Sequence, residues 1–326
     1  MKDLTVDAGL FDEIRLRASE VTRRARFVRI DPVALDALAR ELSTEDETQE
    51  DLDPAHDFVG DDQTRLAFTL LLDAINFGSG WFPALRKRKG YSGYRTVASA
   101  CKDHFEASGC PSGAELRRVT PEGMATLLGR SIADPEVAQL MTLFAQAWRD
   151  FGEWLSTRHG DRFEAVVEGA EHGAERLVRS LAEMPLYRDV SHYEDFEVPL
   201  YKRAQITVAD LSRAFPKDPI GQFDDLDQLT LFADNLVPHV LHCRGVLVYE
   251  AQLVERIGRG ELLQVGSPEE VEIRAVALEA VERLVSALAG LGYSTTAHAL
   301  DGLLWNAGQA KAIKATPRHR ARCSFY

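Results

Sequence analysis

Cysteine is scarce in this chain. Cys101, Cys110, Cys243 and Cys323 are all there are among 326 residues, with no Cys-x-x-Cys pair and no spacing that suggests a disulfide framework, so reduced thiols are expected. Long apolar runs are also missing. Nothing approaches the roughly 18 to 20 residues that span a bilayer, and Met1-Lys2-Asp3-Leu4 opens no secretory segment, so a cytoplasmic protein without a membrane partner is expected. Positive charge is in short supply: 38 Lys plus Arg face 51 Asp plus Glu, a net charge of −13. A long polyanion would approach against that field, so no nucleic-acid partner is expected. Phosphate-binding glycine fingerprints are lacking as well. Gly78-Ser79-Gly80 follows Asn76-Phe77, matches neither a Walker loop nor a dinucleotide fingerprint, and has no strand before it.

What remains is an ordinary globular composition, 45% apolar and 27% charged, which excludes disorder as the main state. Ser267-Pro268-Glu269-Glu270, followed by Val271, Ala275, Leu278, Val281, Leu284, Val285 and Leu288 and ending at Gly290 and Gly292, predicts a long helix with Ser267 capping and Glu270 closing a capping box. Asp134-Pro135 predicts another through Leu155. Further helices are expected at Val33 to Leu42, Arg65 to Phe77, Tyr94 to Phe105, Phe163 to Met184, Ile206 to Phe215 and Leu226 to Cys243. Only Phe27 to Ile30, Phe196 to Tyr201 and Val246 to Tyr249 look extended, too few for a parallel βαβ architecture. The fold class is therefore all-α, with room for a short strand pair. Residues 1–326 are read as a single domain with a looser connection near 185–197, and the acidic stretch Glu45 to Asp53 as a solvated loop.

Two carboxylates stand out. Asp234 lies in the apolar string Leu229-Thr230-Leu231-Phe232-Ala233-Asp234-Asn235-Leu236-Val237-Pro238, where an unpaired charge costs several kcal/mol to bury. It is read either as the cap of a short helix through Leu241 or as a functional carboxylate, with neither favoured. Asp301, in Ala299-Leu300-Asp301-Gly302-Leu303-Leu304-Trp305-Asn306, shares a helical face with Trp305 and Asn306. Two such acids suit glycosidic chemistry if they meet in space, and each is equally read as a capping or ion-pairing group. Lys311, Lys314, Arg318, His319, Arg320 and Arg322 form a basic C-terminal cluster, a phosphate receptor or, the reading the residues favour, a segment docked on the protein's own acids. Arg86-Lys87-Arg88-Lys89 is read as a solvated loop rather than a nucleic-acid patch. His239, His242 and Cys243 fall on one helical face, where core packing is favoured over zinc for want of a fourth ligand.

Leu229-Thr230-Leu231-Phe232-Ala233-Asp234, Tyr201-Lys202-Arg203-Ala204-Gln205, Glu270-Val271-Glu272-Ile273-Arg274-Ala275, Asp301-x-x-Leu304-Trp305 and the Phe325-Tyr326 ending together resemble the queuosine salvage family, the queuosine 5′-phosphate N-glycosylases. The resemblance implies a mostly helical fold related to the helix-hairpin-helix DNA glycosylases, and hydrolysis of queuosine 5′-phosphate to queuine and ribose 5-phosphate without metal or other cofactor. It implies Asp234 beneath the anomeric carbon and Phe232 on the nucleoside. Asp301, Asn306 and Lys311 would line the same pocket, with Lys202 and Tyr91 as further members. Asn76, Phe77 and Gly302 are also carried as substrate-binding positions, Phe77 or Trp81 as stacking surfaces. Asn235, His239, Gly302 and Gly78-Ser79-Gly80 depart from the family's commoner residues. The alternatives held open are a DNA or tRNA base glycosylase and a helical protein that sequesters queuine or its nucleotide without cleaving it.

Overall fold

A computed structural model of the protein describes residues 9–44 and 54–326, so the acidic stretch Glu45 to Asp53 lies outside the described residues. Among the described residues there are fifteen α-helices, and the six strands are two to four residues long, which makes the fold mostly helical. The strands form three separate pairs. Val28–Ile30 runs antiparallel to Leu247–Tyr249, and Val190–Tyr193 antiparallel to Phe196–Pro199, while Leu262–Leu263 lies parallel to Arg320–Ala321. The last two pairs go beyond the expected short pair, and the second occupies the stretch read as a looser connection.

The described chain divides into two compact units. The first comprises residues 9–44, Asp189–Lys202 and Asp227–Ala321. Its centre is the helix Pro268–Gly290, whose residues from Glu270 to Leu278 are buried on every side. Around it pack the helices Leu10–Arg24, Pro32–Leu42, Val237–Cys243 and Ala297–Ala307. Ser267 caps Pro268–Gly290 by accepting from the Glu270 N–H at 3.4 Å. The expected reciprocal bond is displaced by one residue: Glu270 accepts from the Gly266 N–H at 3.1 Å, tying down the preceding turn.

The second unit comprises residues 54–188, Arg203–Leu226 and Arg322–Tyr326. Its centre is the helix Pro135–His159, started by Asp134, which accepts from the Glu136 and Val137 N–H groups at 2.8 and 3.3 Å, and ended by Gly160 in the left-handed region. Against it pack Asp62–Ala74, Gly113–Leu116 and Pro121–Leu127. A Cβ at Gly152 would sit 2.7 Å from the Leu116 Cβ, so the glycine permits the close approach of Gly113–Leu116. Gly78, at φ +112°, turns the chain after Asn76-Phe77, and its N–H donates to the carbonyl of Tyr326 at 3.1 Å.

Three expected helices differ. Arg65 to Phe77 is the helix Asp62–Ala74, which leaves Asn76 and Phe77 beyond its end. Phe163 to Met184 breaks into Glu164–Glu168 and Ala174–Leu181, because Glu171 and His172 adopt positive φ between them. Leu226 to Cys243 is α-helical only from Val237, after a single 3-10 turn at Leu226–Gln228, since Pro238 lacks the N–H an interior position needs and suits a first turn instead. Leu10–Arg24, for which the sequence suggested no element, is a further helix.

Candidate active site

The irregular segment before Val237–Cys243 carries the first carboxylate. From Leu229 to Leu241 every residue is buried except Asp234, which is half-buried. Asp234 Oδ1 accepts from the N–H groups of Leu236 at 2.6 Å and Val237 at 3.0 Å, leading the chain into the helix. The capping reading of the sequence is thus realised. It uses one oxygen only, and Oδ2 has no hydrogen-bond partner among the described residues, so the carboxylate also keeps an open face.

The segment is held from two sides within the first unit. Asp301, buried on the helix Ala297–Ala307, accepts from the Phe232 N–H through Oδ1 at 3.1 Å. Arg274, buried on Pro268–Gly290, donates from Nε to the Ala233 carbonyl at 2.9 Å. The two acids are therefore joined through two peptide units: Asp301 orients the backbone of Phe232, two residues before Asp234. Arg274 in turn forms a two-pronged pair with Asp189, at 3.0 and 2.6 Å, and Asp189 Oδ2 accepts from the Lys202 N–H at 3.1 Å. Lys202 is thereby attached to the same buried network. Phe232 and Gly302 are buried, whereas Asn306 is exposed on its helix and Lys311 is exposed at the start of the short helix Lys311–Ala315.

The basic C-terminal cluster divides. Arg322 pairs with Glu136, which is the docked reading, whereas Arg320 donates to the Gly260 carbonyl at 2.9 Å rather than to an acid. Arg318 is half-buried and makes no hydrogen bond or ion pair among the described residues. Burial lowers the pKa of its guanidinium, an effect that the charge of Asp234 opposes. His319 is buried, and burial followed by the charges of Arg274 and Arg318 pushes its pKa down to about 3. His239 donates from Nε2 to the Ile313 carbonyl at 3.0 Å, and His242 donates from Nδ1 to the Leu247 carbonyl at 2.9 Å while stacking on Tyr249. These imidazoles are engaged by backbone, as core packing requires.

The remaining expected residues belong to the second unit. Asn76 donates to Asp73 at 3.4 Å. Phe77 is buried under the Arg203 guanidinium, 4.9 Å from its ring centre, with Phe144 edge-on beside it. Tyr91 is exposed in the turn after Arg88.

Sequence reasoning missed a second constellation in that unit. His56, Asp73 and Asp210 are all buried; His56 Nε2 lies 3.1 Å from Asp210 and 3.5 Å from Asp73, and its Nδ1 meets the Tyr94 hydroxyl. Asp73 in Leu70-Leu71-Leu72-Asp73-Ala74-Ile75 and Asp210 in Val208-Ala209-Asp210-Leu211 carry the signal that singled out Asp234, a lone acid amid apolar neighbours. Arg203 reinforces the site's frame by donating to the carbonyls of Asp73 and Ala74 at 3.1 and 2.7 Å.

Residues 56–326 match the family described as Queuosine salvage protein. Among individual proteins, the chain is 38% identical to a queuosine 5′-phosphate N-glycosylase/hydrolase of Sphaerobacter thermophilus, over 79% of this chain and 80% of the relative. Proteins of the same name from Bos taurus and Dictyostelium discoideum are 30% and 31% identical, covering 82% and 79% of this chain and 83% and 77% of their own lengths.

Proposed function

The chain belongs to the queuosine salvage protein family, and from that premise we propose that it hydrolyses the N-glycosidic bond of queuosine 5′-phosphate, releasing queuine and ribose 5-phosphate. The single observation that carries this reading on the chain itself is Asp234, the one side chain that opens through an otherwise buried wall, with one oxygen pinned by two N–H groups and the other unbonded among the described residues. Breaking the bond builds positive charge on the ribose. A carboxylate whose orientation is set before the substrate arrives stabilises that charge, or captures the sugar, without reorganising.

The leaving base is a 7-deazaguanine, with carbon where guanine has N7, so protonation there is closed. Help for the departing base must come from elsewhere on its ring, and Asp301 is the second acid assigned to that task. Its Oδ1 is committed to the Phe232 N–H, so the same side chain also sets the backbone that carries Asp234. Phe232, Gly302, Asn306, Lys311, Lys202, Tyr91, Asn76 and Phe77 are assigned to substrate binding. No helix among the described residues is long and apolar enough to cross a membrane. A cytoplasmic catalyst acting as one domain, of helix-hairpin-helix ancestry and without a metal, cofactor or nucleic-acid partner, completes the reading.

The test is direct. Purified protein is incubated with queuosine 5′-phosphate and, separately, queuosine, and free queuine is followed by chromatography with mass detection. Release from the nucleotide is expected. Ligand-induced stabilisation with no product would favour a sequestering protein instead, and tight, salt-sensitive binding of duplex DNA or tRNA would favour a base glycosylase.

A further inference from the structure

The stretch near 185–197, expected from the sequence to be a looser connection, leads into a clamp within the first unit. The strand pair Val190–Tyr193 and Phe196–Pro199 sets Val190 opposite Pro199, which brings Asp189, just before the first strand, to Leu200, Tyr201 and Lys202, just after the second. Asp189 takes the N–H groups of all three. Its carbonyl accepts from Leu200 at 2.9 Å and Tyr201 at 3.2 Å, and its side-chain Oδ2 accepts from Lys202 at 3.1 Å. Between them Tyr201 holds φ +45°, in the left-handed region. Such a conformation strains a bulky residue and persists only where surrounding contacts over-determine it, most often beside a functional side chain.

Arg274 closes the clamp from the central helix. Its Nη1 and Nη2 meet the two oxygens of Asp189 at 3.0 and 2.6 Å, while Nε, on another edge of the guanidinium plane, donates to the Ala233 carbonyl at 2.9 Å. One rigid group thus joins two segments distant in sequence, the strained chain that carries Lys202 and the irregular chain that carries Asp234. Asp234 continues the line by accepting from the Leu236 and Val237 N–H groups. Arg274 and Asp189 are both buried. A buried ion pair seldom stabilises a fold more than apolar side chains of the same volume would, so stability alone is a poor reason for this one.

We propose that Arg274 and Asp189 are positioning residues for the glycosidic reaction, holding the backbone of Asp234 in register with that of Lys202 so that the carboxylate and the lysine receive the substrate together. The inference rests on the roles given to Asp234 and Lys202 above, and adds that neither is set by its own stretch of chain alone. Stabilising charge on the ribose depends on a carboxylate already in place, and small displacements of a reacting group are costly in rate. The device requires arginine. Lysine keeps the charge, but its single ammonium cannot make the two-pronged contact and the Ala233 contact at once.

Steady-state kinetics with queuosine 5′-phosphate are measured on the full-length wild type, Arg274→Lys, Asp189→Asn, Asp234→Asn and the double variant Arg274→Lys/Asp234→Asn, well below their melting temperatures and per folded molecule by circular dichroism. Arg274→Lys and Asp189→Asn are each expected to lower kcat by about 10²-fold, the cost of misplacing a reacting group by about an ångström. In the Asp234→Asn background, Arg274→Lys is expected to lower kcat by no more than about twofold, because the group it positions is already gone. A purely structural role would leave kcat per folded molecule unchanged. That result, or the same factor lost in both backgrounds, would overturn the proposal.

Should a variant fail to fold, hydrogen exchange on the native wild type decides the coupling. The N–H groups of Lys202, Leu236 and Val237 are expected to open together, with one free energy, because a single ion pair ties their segments. A Lys202 amide that exchanges through a smaller opening of its own, while Leu236 and Val237 stay protected, would overturn it. The two failures look different. A wild type that releases no queuine would remove the reaction, and with it the catalytic purpose of the pair. Wild-type turnover with independent amides, or with kcat untouched by Arg274→Lys, would remove the positioning role and leave the reaction standing.

Discussion

Arg274 holds Asp189 through two parallel hydrogen bonds, of 3.0 and 2.6 Å, at a place where neither side chain reaches water. The pair does more than neutralise itself. Through Nε it fixes the carbonyl of Ala233, next to Asp234, and through Asp189 it anchors the N–H of Lys202. Removing one member strands a buried charge, so Arg274→Met or Asp189→Leu alone is expected to cost about 3–5 kcal/mol of unfolding free energy in urea titrations. Replacing both together should recover much of that loss. Two single losses below about 1 kcal/mol, within the range of surface pairs, would show that the network is not buried as described.

Substitutions at Asp234 are expected to separate activity from stability. Asparagine keeps an oxygen for the Leu236 and Val237 N–H groups but loses the charge, so Asp234→Asn is expected to melt near the wild-type temperature while queuine release falls by about 10²- to 10³-fold, the range for removing one electrostatic stabiliser. Asp234→Ala should lose activity and also about 1 kcal/mol, the usual value of a capping side chain. Near-normal turnover in the asparagine variant would remove Asp234 from the chemistry.

His319 makes the protein sensitive to acid. Its folded pKa, about 3, lies below the ordinary histidine value of 6.5, so between those limits the unfolded chain binds the proton and the native state does not. Stability from this group is therefore complete above pH 6.5 and declines as pH falls toward 3, by up to about 1.4 kcal/mol per unit. Denaturant midpoints across pH 4 to 7 should fall less steeply in His319→Gln than in wild type. Identical slopes would mean that the imidazole is hydrated or charged in the native state.

His56 stands between two buried carboxylates, Asp73 and Asp210, and against the Tyr94 hydroxyl. His56→Ala is expected to cost about 1–3 kcal/mol, the penalty for leaving buried polar groups without a partner. Adding Asp210→Asn to that variant should restore part of the stability by removing one of the two charges. A thermal scan in which the second substitution deepens the loss would contradict this account.

Much of the helical framework was legible from local signals. Asp31-Pro32 and Asp134-Pro135 start helices as expected, and Asp31 accepts from the Val33 and Ala34 N–H groups at 3.0 Å each. Where local reading failed, a stronger local rule was available or a distant contact decided. Pro238 should have barred a helix running through Asp234, and its effect is to leave the carboxylate on irregular chain. The capping box at Ser267 was displaced because Glu270 has a competing donor in Gly266.

The sequence by itself determined the all-α class and the acidic character and offered Asp234 and Asp301 as candidates, because periodicity, caps and a charge set in apolar surroundings are properties of neighbouring residues, while the family followed from the resemblance of its motifs. Tertiary structure alone decided that Asp301 meets the Phe232 N–H across 69 residues, that Arg274 meets Asp189 across 85, and that His56 lies between Asp73 and Asp210. Such pairings depend on how helices pack once their apolar faces are buried, and the closing of long loops is driven by that burial rather than by any pattern written along the chain.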